Sequence, residues 1–459
     1  MPSDSAPRRW LIPLTVALVL AFYFFFTWKS LGLYFDNDDM MNLYLAWSKP
    51  LAEVLRPVGG LFYRAMFAMA GFNPVPFRIA VLALGALNIG LCWWFTKLIS
   101  GSDRVAALAI LLFAFHSRLM EVWWRTAMVY DLLCFTFLYF AACLYLDARK
   151  RNAMPGPGRS AAILISFLLA LGAKENALAL PVILLACTCR VRASALPPGF
   201  RLARTVQWPI TLTLICIPYL YLKTHGPMST NVFYAPEYTF THFAGAWSKF
   251  LGYLLVLNHD VQPWKAIAIL AALLCIAALA RSRQLTLAWV ILFATTLPVA
   301  FIPYRGGYVL YTAYPGAALY AATILVAAQD YVTKTQPQYR TALACAVFAL
   351  AGWRWGTLNL HDQRIDPRPW LYESQRQVHA MADQMLALNP HLPKGARVLF
   401  LEDAFGTDEW TPYFVMKLLY RDASLVPDRI KMMDRKPTDW NEYQYVLTFD
   451  AGRYRQLKP

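Results

Sequence analysis

Residues 10–28 read WLIPLTVALVLAFYFFFTW, and the acidic stretch Asp36-Asn37-Asp38-Asp39 follows a short way beyond them. As an α-helix, the apolar run is long enough to cross a bilayer core of roughly 30 Å. The carboxylates then lie just outside the hydrocarbon, where acids commonly serve as general bases, metal ligands or helix caps. This stretch predicts a membrane protein with acidic side chains at one surface of the bilayer.

The composition extends this prediction to the whole chain. Of its 459 residues, 58% are hydrophobic and only 15% are charged, a balance typical of a polytopic α-helical membrane protein. Apolar runs of suitable length predict about eleven transmembrane helices. These lie near residues 10–28, 79–99, 104–117, 127–147, 160–173, 176–189, 205–222, 263–280, 285–302, 314–329 and 340–357.

Basic residues indicate how the helices are oriented. The net charge is +16, but the lysines and arginines lie in short loops rather than on one patch, so we expect no nucleic-acid partner. If the amino terminus is cytoplasmic, every predicted cytoplasmic turn is basic, as at Arg104, Arg149 and Arg281. The sequence therefore predicts a cytoplasmic amino terminus and an extracytoplasmic carboxyl terminus.

The chain divides into two predicted domains. Residues 1–359 form the transmembrane domain, and residues 360–459 form a small extracytoplasmic α/β domain. In the second domain the charge density rises, and strand-like runs at 397–401 and 443–448 flank a helical stretch at 413–420.

The first outer loop, residues 29–78, carries a second pattern beyond its acids. Apolar residues recur there every three or four positions, which is typical of an amphipathic helix lying on the bilayer surface. These residues are Met40, Tyr44, Trp47, Leu51 and Val54.

Polar side chains that interrupt the apolar pattern gather on the outer side. They are His116, Arg118, Glu121, Arg125 and Asp131, then Lys174 with Glu175, and Tyr304 with Arg305 and Tyr308. Charges near hydrocarbon are costly and tend to have partners. Arginine and lysine can hold a phosphate, while a carboxylate can deprotonate a hydroxyl group or hold a divalent metal. The set favours transfer of a group from a membrane-bound phosphate ester.

Four aromatic residues lie among these polar groups. Trp123, Trp124, Tyr311 and Tyr314 are suited to lining a groove for a lipid tail, but aromatic side chains are also common at the membrane interface. We favour the interfacial belt.

Several short motifs occur in a recognisable order. The pair Asp38-Asp39 follows the first span and precedes a helix, and Ser117-Arg118 is followed by Glu121. Residues 171–181 read LGAKENALALP, and residues 305–315 read RGGYVLYTAYP. In this order, the motifs resemble those of the C-type (GT-C) integral-membrane glycosyltransferases. The similarity is strongest to the branch that contains protein O-mannosyltransferases and aminoarabinose transferases.

This resemblance implies a GT-C fold and an enzyme of glycan biosynthesis in the bacterial inner membrane. Such an enzyme moves a hexosyl or pentosyl group from a polyprenyl-phosphate donor to a lipid, glycan or protein acceptor on the periplasmic face. The implied catalytic residues are Asp38, Asp39 and Asp36. The implied substrate-binding residues are Lys174, Arg305, Arg118, Glu121 and Tyr308. Asp36 and Asp38 are also candidate ligands for a divalent metal, Mg²⁺ or Mn²⁺.

Each assignment has a simpler alternative. Asp36 or Asp38 would stabilise the following helix as a cap, Lys174 would extend toward lipid headgroups, and Arg118 would pair with Glu121 one helical turn away.

Two other functions stay open. A lipid-linked glycan polymerase or ligase would use the same cations without needing the acidic stretch. A lipid or polyprenol transporter (flippase) would place charges near the bilayer midplane, and often has an inverted repeat.

Overall fold

A computed structural model describes residues 11–151, 153–188, 198–225, 235–302, 305–389, 391–434, 436–437 and 439–458, with backbone alone for residues 198–205 and 458. Within these ranges the chain forms seventeen α-helices and four β-strands. The helices are α1 (Leu11–Thr27), α2 (Asn37–Ser48), α3 (Pro57–Ala70), α4 (Pro74–Ser100), α5 (Asp103–Ala114), α6 (Glu121–Trp124), α7 (Val129–Lys150), α8 (Pro157–Ala173), α9 (Leu180–Thr188), α10 (Pro198–His225), α11 (Phe240–Leu254), α12 (Pro263–Leu279), α13 (Arg283–Thr296), α14 (Tyr314–Val332), α15 (Arg340–Ile365), α16 (Pro369–Leu388) and α17 (Thr411–Leu419). The strands are β1 (Arg397–Phe400), β2 (Val426–Arg429), β3 (Tyr445–Asp450) and β4 (Arg453–Lys458).

The chain folds into two compact units. The first unit comprises Met1–Trp28, Leu82–Trp123 and Met128–Asp366. The second comprises Lys29–Val81, Trp124–Ala127 and Pro367–Pro459.

Helices dominate the described part of the first unit. A helix lies in each of the eleven segments predicted to cross the membrane. Among the described residues, three helical stretches are both long and apolar enough to span a bilayer: Leu11–Gly32, Pro74–Ser100 and Thr126–Lys150. The prediction of a helical membrane protein is therefore confirmed, while the exact number of crossings stays a prediction.

Local capping explains where some of these helices begin. Ser102 precedes α5, and its hydroxyl accepts a hydrogen bond from the Val105 amide. Ser282 precedes α13, and its hydroxyl accepts a hydrogen bond from the Leu285 amide. Serine is a favoured cap because its oxygen satisfies one of the four amides that a helix end leaves unpaired.

Aromatic side chains fill the interior of the first unit. Trp123, Tyr311 and Tyr314 are all buried, and Trp123 stacks on Phe115. The Asn88 amide nitrogen lies 3.2 Å from the Tyr311 hydroxyl and donates to it. The predicted interfacial belt is therefore wrong for these residues. An aromatic ring with a partnered polar tip fits a protein interior as well as an interface.

The second unit contains a four-stranded sheet with strand order β2-β1-β3-β4. The central strand β1 pairs in parallel with β2 and β3, while β4 runs antiparallel to β3 at one edge. The β1 sequence Arg397-Val-Leu-Phe400 is nearly continuous in apolar residues, as expected for a parallel strand covered on both faces. The predicted α/β character of the carboxyl-terminal segment is confirmed.

Helix α2 of the first outer loop, which was predicted to lie on the bilayer surface, packs against protein instead. Helix α2 ends at Ser48, because Pro50 lies just beyond it and disfavours helix in the preceding residue. Tyr44 packs on Tyr413 and Phe414 of α17. The apolar face of α2 is thus covered by protein, which corrects the expectation that it rests on the bilayer.

Candidate active site

The acidic stretch begins helix α2 through a reciprocal pair of hydrogen bonds. The Asp36 carboxylate accepts from the Asp39 amide at 2.9 Å, and the Asp39 carboxylate accepts from the Asp36 amide at 3.2 Å. This is a capping box, which satisfies two helix-end amides at once. Two of the three acids therefore have a structural role, as the simpler alternative predicted for Asp36.

Arg125 joins two of the carboxylates. Its Nε donates to Asp36 Oδ2 at 2.5 Å, and its Nη2 donates to Asp38 Oδ2. The guanidinium group has its donors in one plane, so it can hold two acids in a fixed relation. The segment 124–127 thereby orients the start of α2.

Asp39 lies in the most enclosed position of the cluster. Its Oδ1 accepts hydrogen bonds from the Tyr63 hydroxyl at 3.2 Å and from the Ala127 amide at 2.5 Å. Arg78 Nη2 lies 3.6 Å from Asp39 Oδ2. Burial, with a smaller contribution from the negative charge of Asp36, raises the pKa of Asp39 to about 7.

Solvent exposure separates the three acids. The Asp36 and Asp39 side chains are 1% and 0% exposed, whereas the Asp38 side chain is 48% exposed. Of the three carboxylates, Asp38 is thus the one that is open to solvent. We call Asp36, Asp38, Asp39, Arg78 and Arg125 the acid cluster.

The donor set of the acid cluster does not fit a metal site. Asp36 and Asp38 share Arg125, and the described residues contain no group of three or more His, Cys, Asp or Glu side chains arranged to hold a metal ion. Protein sites for Mg²⁺ combine carboxylates with further oxygen ligands. The assignment of Asp36 and Asp38 as metal ligands stays a prediction.

A second group of predicted residues lies in the first unit and centres on Lys174. Its Nζ donates to both carboxylate oxygens of Asp131, at 2.6 and 2.7 Å, and lies 5.0 Å from the centre of the Tyr308 ring. Lys174 and Asp131 are both buried. The positive charge of Lys174 is therefore balanced by the Asp131 carboxylate and by the electron-rich face of the Tyr308 ring.

Arg118 has acidic partners from a distant helix. Arg118 Nη2 lies 2.6 Å from Asp362, and Arg118 Nη1 lies 3.2 Å from Asp366 at the end of α15. The short helical turn Gly307–Leu310 approaches so closely that a Cβ atom at Gly307 would overlap the Arg118 carbonyl oxygen. A Cβ atom at Gly306 would lie 3.6 Å from Glu121 Oε1. The glycine pair thus places the Arg305–Tyr308 motif against Arg118 and Glu121.

The first unit therefore brings most of the predicted substrate-binding residues together. Tyr308 contacts Lys174, and its turn packs beside Arg118 and Glu121, while Arg305 is half-buried at the start of that turn. The predicted catalytic acids belong to the second unit.

Three residues that contact the acids had no catalytic or binding role predicted from the sequence. Arg78, Tyr63 and Arg125 contact the acids from positions distant along the chain. Arg78 and Arg125 carried a usable signal, because an arginine within an otherwise apolar run requires a partner.

The helical membrane portion, the capped acidic stretch after the first helix and the α/β module are the features expected of the C-type, or GT-C, glycosyltransferase fold. Comparison with solved structures gives the same fold. Crystal structures of ArnT from Cupriavidus metallidurans, an aminoarabinose transferase, match this chain with TM-scores of 0.54 and 0.53. The first is bound to undecaprenyl phosphate and the second is in the apo state, at 14% and 16% sequence identity. Each match covers 92% of this chain and 90% of ArnT.

The sequence comparisons, unlike the structural ones, found no match. No protein-family model matches the chain, and no curated protein matches it. The predicted GT-C fold is thus confirmed through structural similarity alone.

Proposed function

We propose that this protein is a membrane glycosyltransferase that moves a sugar from a polyprenyl-phosphate donor to an acceptor on the periplasmic face of a bacterial inner membrane. The observation that carries the proposal is Asp38, a half-exposed carboxylate oriented by a buried arginine within a GT-C fold. The ArnT structure with undecaprenyl phosphate supports the choice of donor class.

Asp38 is the general base in this mechanism. Its carboxylate takes the proton from the acceptor hydroxyl, and the acceptor oxygen attacks the anomeric carbon as the bond to the lipid phosphate breaks. Polyprenyl phosphate leaves with the bonding electron pair. Because the attack is a single direct displacement, the product has the inverted anomeric configuration.

The cations of the first unit are the candidates for holding the lipid phosphate. Arg305 and Lys174 would neutralise charge that grows on the leaving phosphate, which lowers the barrier. Arg118, Glu121 and Tyr308 would position these groups. Lys174 would have to share its charge between Asp131 and the phosphate.

Reconstitution of the purified protein into liposomes tests the proposal. A radiolabelled polyprenyl-phosphate sugar is added with a membrane extract as the source of acceptor, and released polyprenyl phosphate and glycosylated product are measured. We expect both to appear together, with the inverted anomeric configuration in the product. Movement of the intact donor from one leaflet of the bilayer to the other, without cleavage, would overturn the proposal in favour of a transporter.

A further inference from the structure

An exposed tryptophan lies beside the acid cluster and has no part in the chemistry proposed above. Trp370 is 51% exposed, and its ring centre lies 5.8 Å from Arg125 Cζ. Arg125 in turn donates a hydrogen bond to Asp38. The indole ring is therefore within about 10 Å of the Asp38 carboxylate, given ordinary hydrogen-bond lengths.

The backbone before Trp370 has an unusual conformation. Arg368 has φ of 48° and ψ of 60°, the left-handed region, and it directly precedes Pro369. This conformation is uncommon for any residue other than glycine, and strained residues of this kind are concentrated at functional sites. Helix α16 begins immediately afterwards, so the turn at Arg368 determines where Trp370 is placed.

The first two turns of α16 are held in place by contacts within the second unit. Gln375 Nε2 donates to the Trp124 carbonyl oxygen at 3.1 Å, and the Tyr372 ring packs edge-on against Trp124. The Ser374 hydroxyl accepts from the Asn37 amide at 3.4 Å. Trp370 is thus a large apolar side chain on a fixed support, left half open to solvent next to a reactive acid.

A tryptophan in this position has a specific binding chemistry. The faces of an indole ring are electron-rich, so they attract cations and polarised C–H groups. One side of a pyranose ring presents several such C–H groups in a plane, while its hydroxyl groups project from the ring edge. A sugar stacked on indole therefore leaves a hydroxyl group free to approach a neighbouring base.

We propose that Trp370 is an acceptor-binding residue that stacks against a sugar ring and presents one of its hydroxyl groups to Asp38. This inference rests on the proposed function and narrows the acceptor to a carbohydrate. The hydroxyl proton passes to Asp38, the hydroxyl oxygen bonds to the anomeric carbon of the donor, and polyprenyl phosphate departs. A serine or threonine side chain in a peptide has no ring to stack and is not the acceptor under this proposal.

Saturation-transfer NMR on the full-length protein in nanodiscs tests the inference. The probes are methyl glucoside, methyl galactoside and methyl N-acetylglucosaminide, together with a serine- and threonine-containing peptide. Trp370→Leu removes the aromatic ring, Trp370→Phe keeps one, and Trp410→Leu is the matched control because Trp410 is a similarly exposed tryptophan of the same unit at 55%. Cleavage of a polyprenyl-phosphate sugar by the wild-type protein is measured in parallel.

We expect at least one glycoside to receive saturation from the wild-type protein. The signal should fall about fivefold in Trp370→Leu, a change in line with the loss of one aromatic contact, and by less than about twofold in Trp370→Phe and Trp410→Leu. Equal signals in wild type and Trp370→Leu, or saturation of the peptide alone, would overturn the inference. Absence of donor cleavage would instead count against the proposed function, so the two failures are distinguishable.

Discussion

The acid cluster of the second unit and the Lys174–Asp131 pair of the first unit both hold charge inside protein, but they balance it differently. The acid cluster places three carboxylates against two guanidinium groups, and one of its acids, Asp38, is half exposed. Lys174 and Asp131 match one positive group to one negative group, and both are buried.

The difference in charge balance supports the choice of Asp38 as the reactive group of the proposed mechanism. A matched buried pair is costly to break from either side, because the remaining charge has no water to stabilise it. A cluster with one carboxylate more than its cations, and with that acid open to solvent, can exchange a proton without losing its framework. This difference supports the proposed role of Asp38 as the base and a structural role for Asp36 and Asp39.

The largest effect is expected from breaking the matched pair. Lys174→Met leaves Asp131 buried without its cation and should lower the free energy of unfolding by about 3–5 kcal/mol. The double variant Lys174→Met with Asp131→Leu should recover most of that loss. Equilibrium unfolding in detergent measures both values.

A double variant as unstable as Lys174→Met would contradict the pairing. The same protein also gives information about catalysis: a stable double variant without transfer activity would support a role for Lys174 in holding the lipid phosphate.

A smaller loss of unfolding free energy is expected from removing the cap of helix α2. Asp36→Ala removes the cap of α2 and one bond to Arg125, and should cost about 2 kcal/mol. Asp36→Asn keeps a good cap while losing the charge, so it should cost about half as much. If both variants unfolded like the wild-type protein, the stability of helix α2 would not depend on the Asp36 cap.

The raised pKa of Asp39 predicts a pH dependence of stability. Because the folded protein holds this proton more tightly than the unfolded chain, the contribution of Asp39 to the free energy of unfolding is fully present below about pH 4 and is lost as the pH rises through about 7. The slope contributed by one group is at most about 1.4 kcal/mol per pH unit. Asp39→Asn, which cannot ionise, should remove that part of the slope between pH 4 and 7. An unchanged slope in this variant would mean that Asp39 is ionised throughout.

The smallest effect is expected from chelation. Since Asp36 and Asp38 share Arg125, treatment with EDTA should change the transfer rate by less than about twofold. Loss of activity that Mg²⁺ or Mn²⁺ restores would support the alternative, in which these two acids are metal ligands.

The features predicted well from the sequence are those that depend on nearby residues. Helix α17 and strands β1 and β3 lie where local patterns placed them, and Asp36 is a cap as its position before an apolar helix indicated. The pairing of Lys174 with Asp131, 43 residues away, depends on how α7 and α8 pack and has no local signal. The burial of Trp123 could not be predicted from the sequence either, because tryptophan fits both a protein interior and a membrane interface.

The most direct test of the central claim is the single-turnover transfer rate of Asp38→Asn from a polyprenyl-phosphate sugar. Glu53→Gln is the control, because Glu53 is another exposed acid of the same loop. Loss of a general base predicts a rate about 1,000-fold below wild type in Asp38→Asn, with unchanged unfolding and a near wild-type rate in Glu53→Gln. A transfer rate for Asp38→Asn within about threefold of wild type would contradict the assignment of Asp38 as the base.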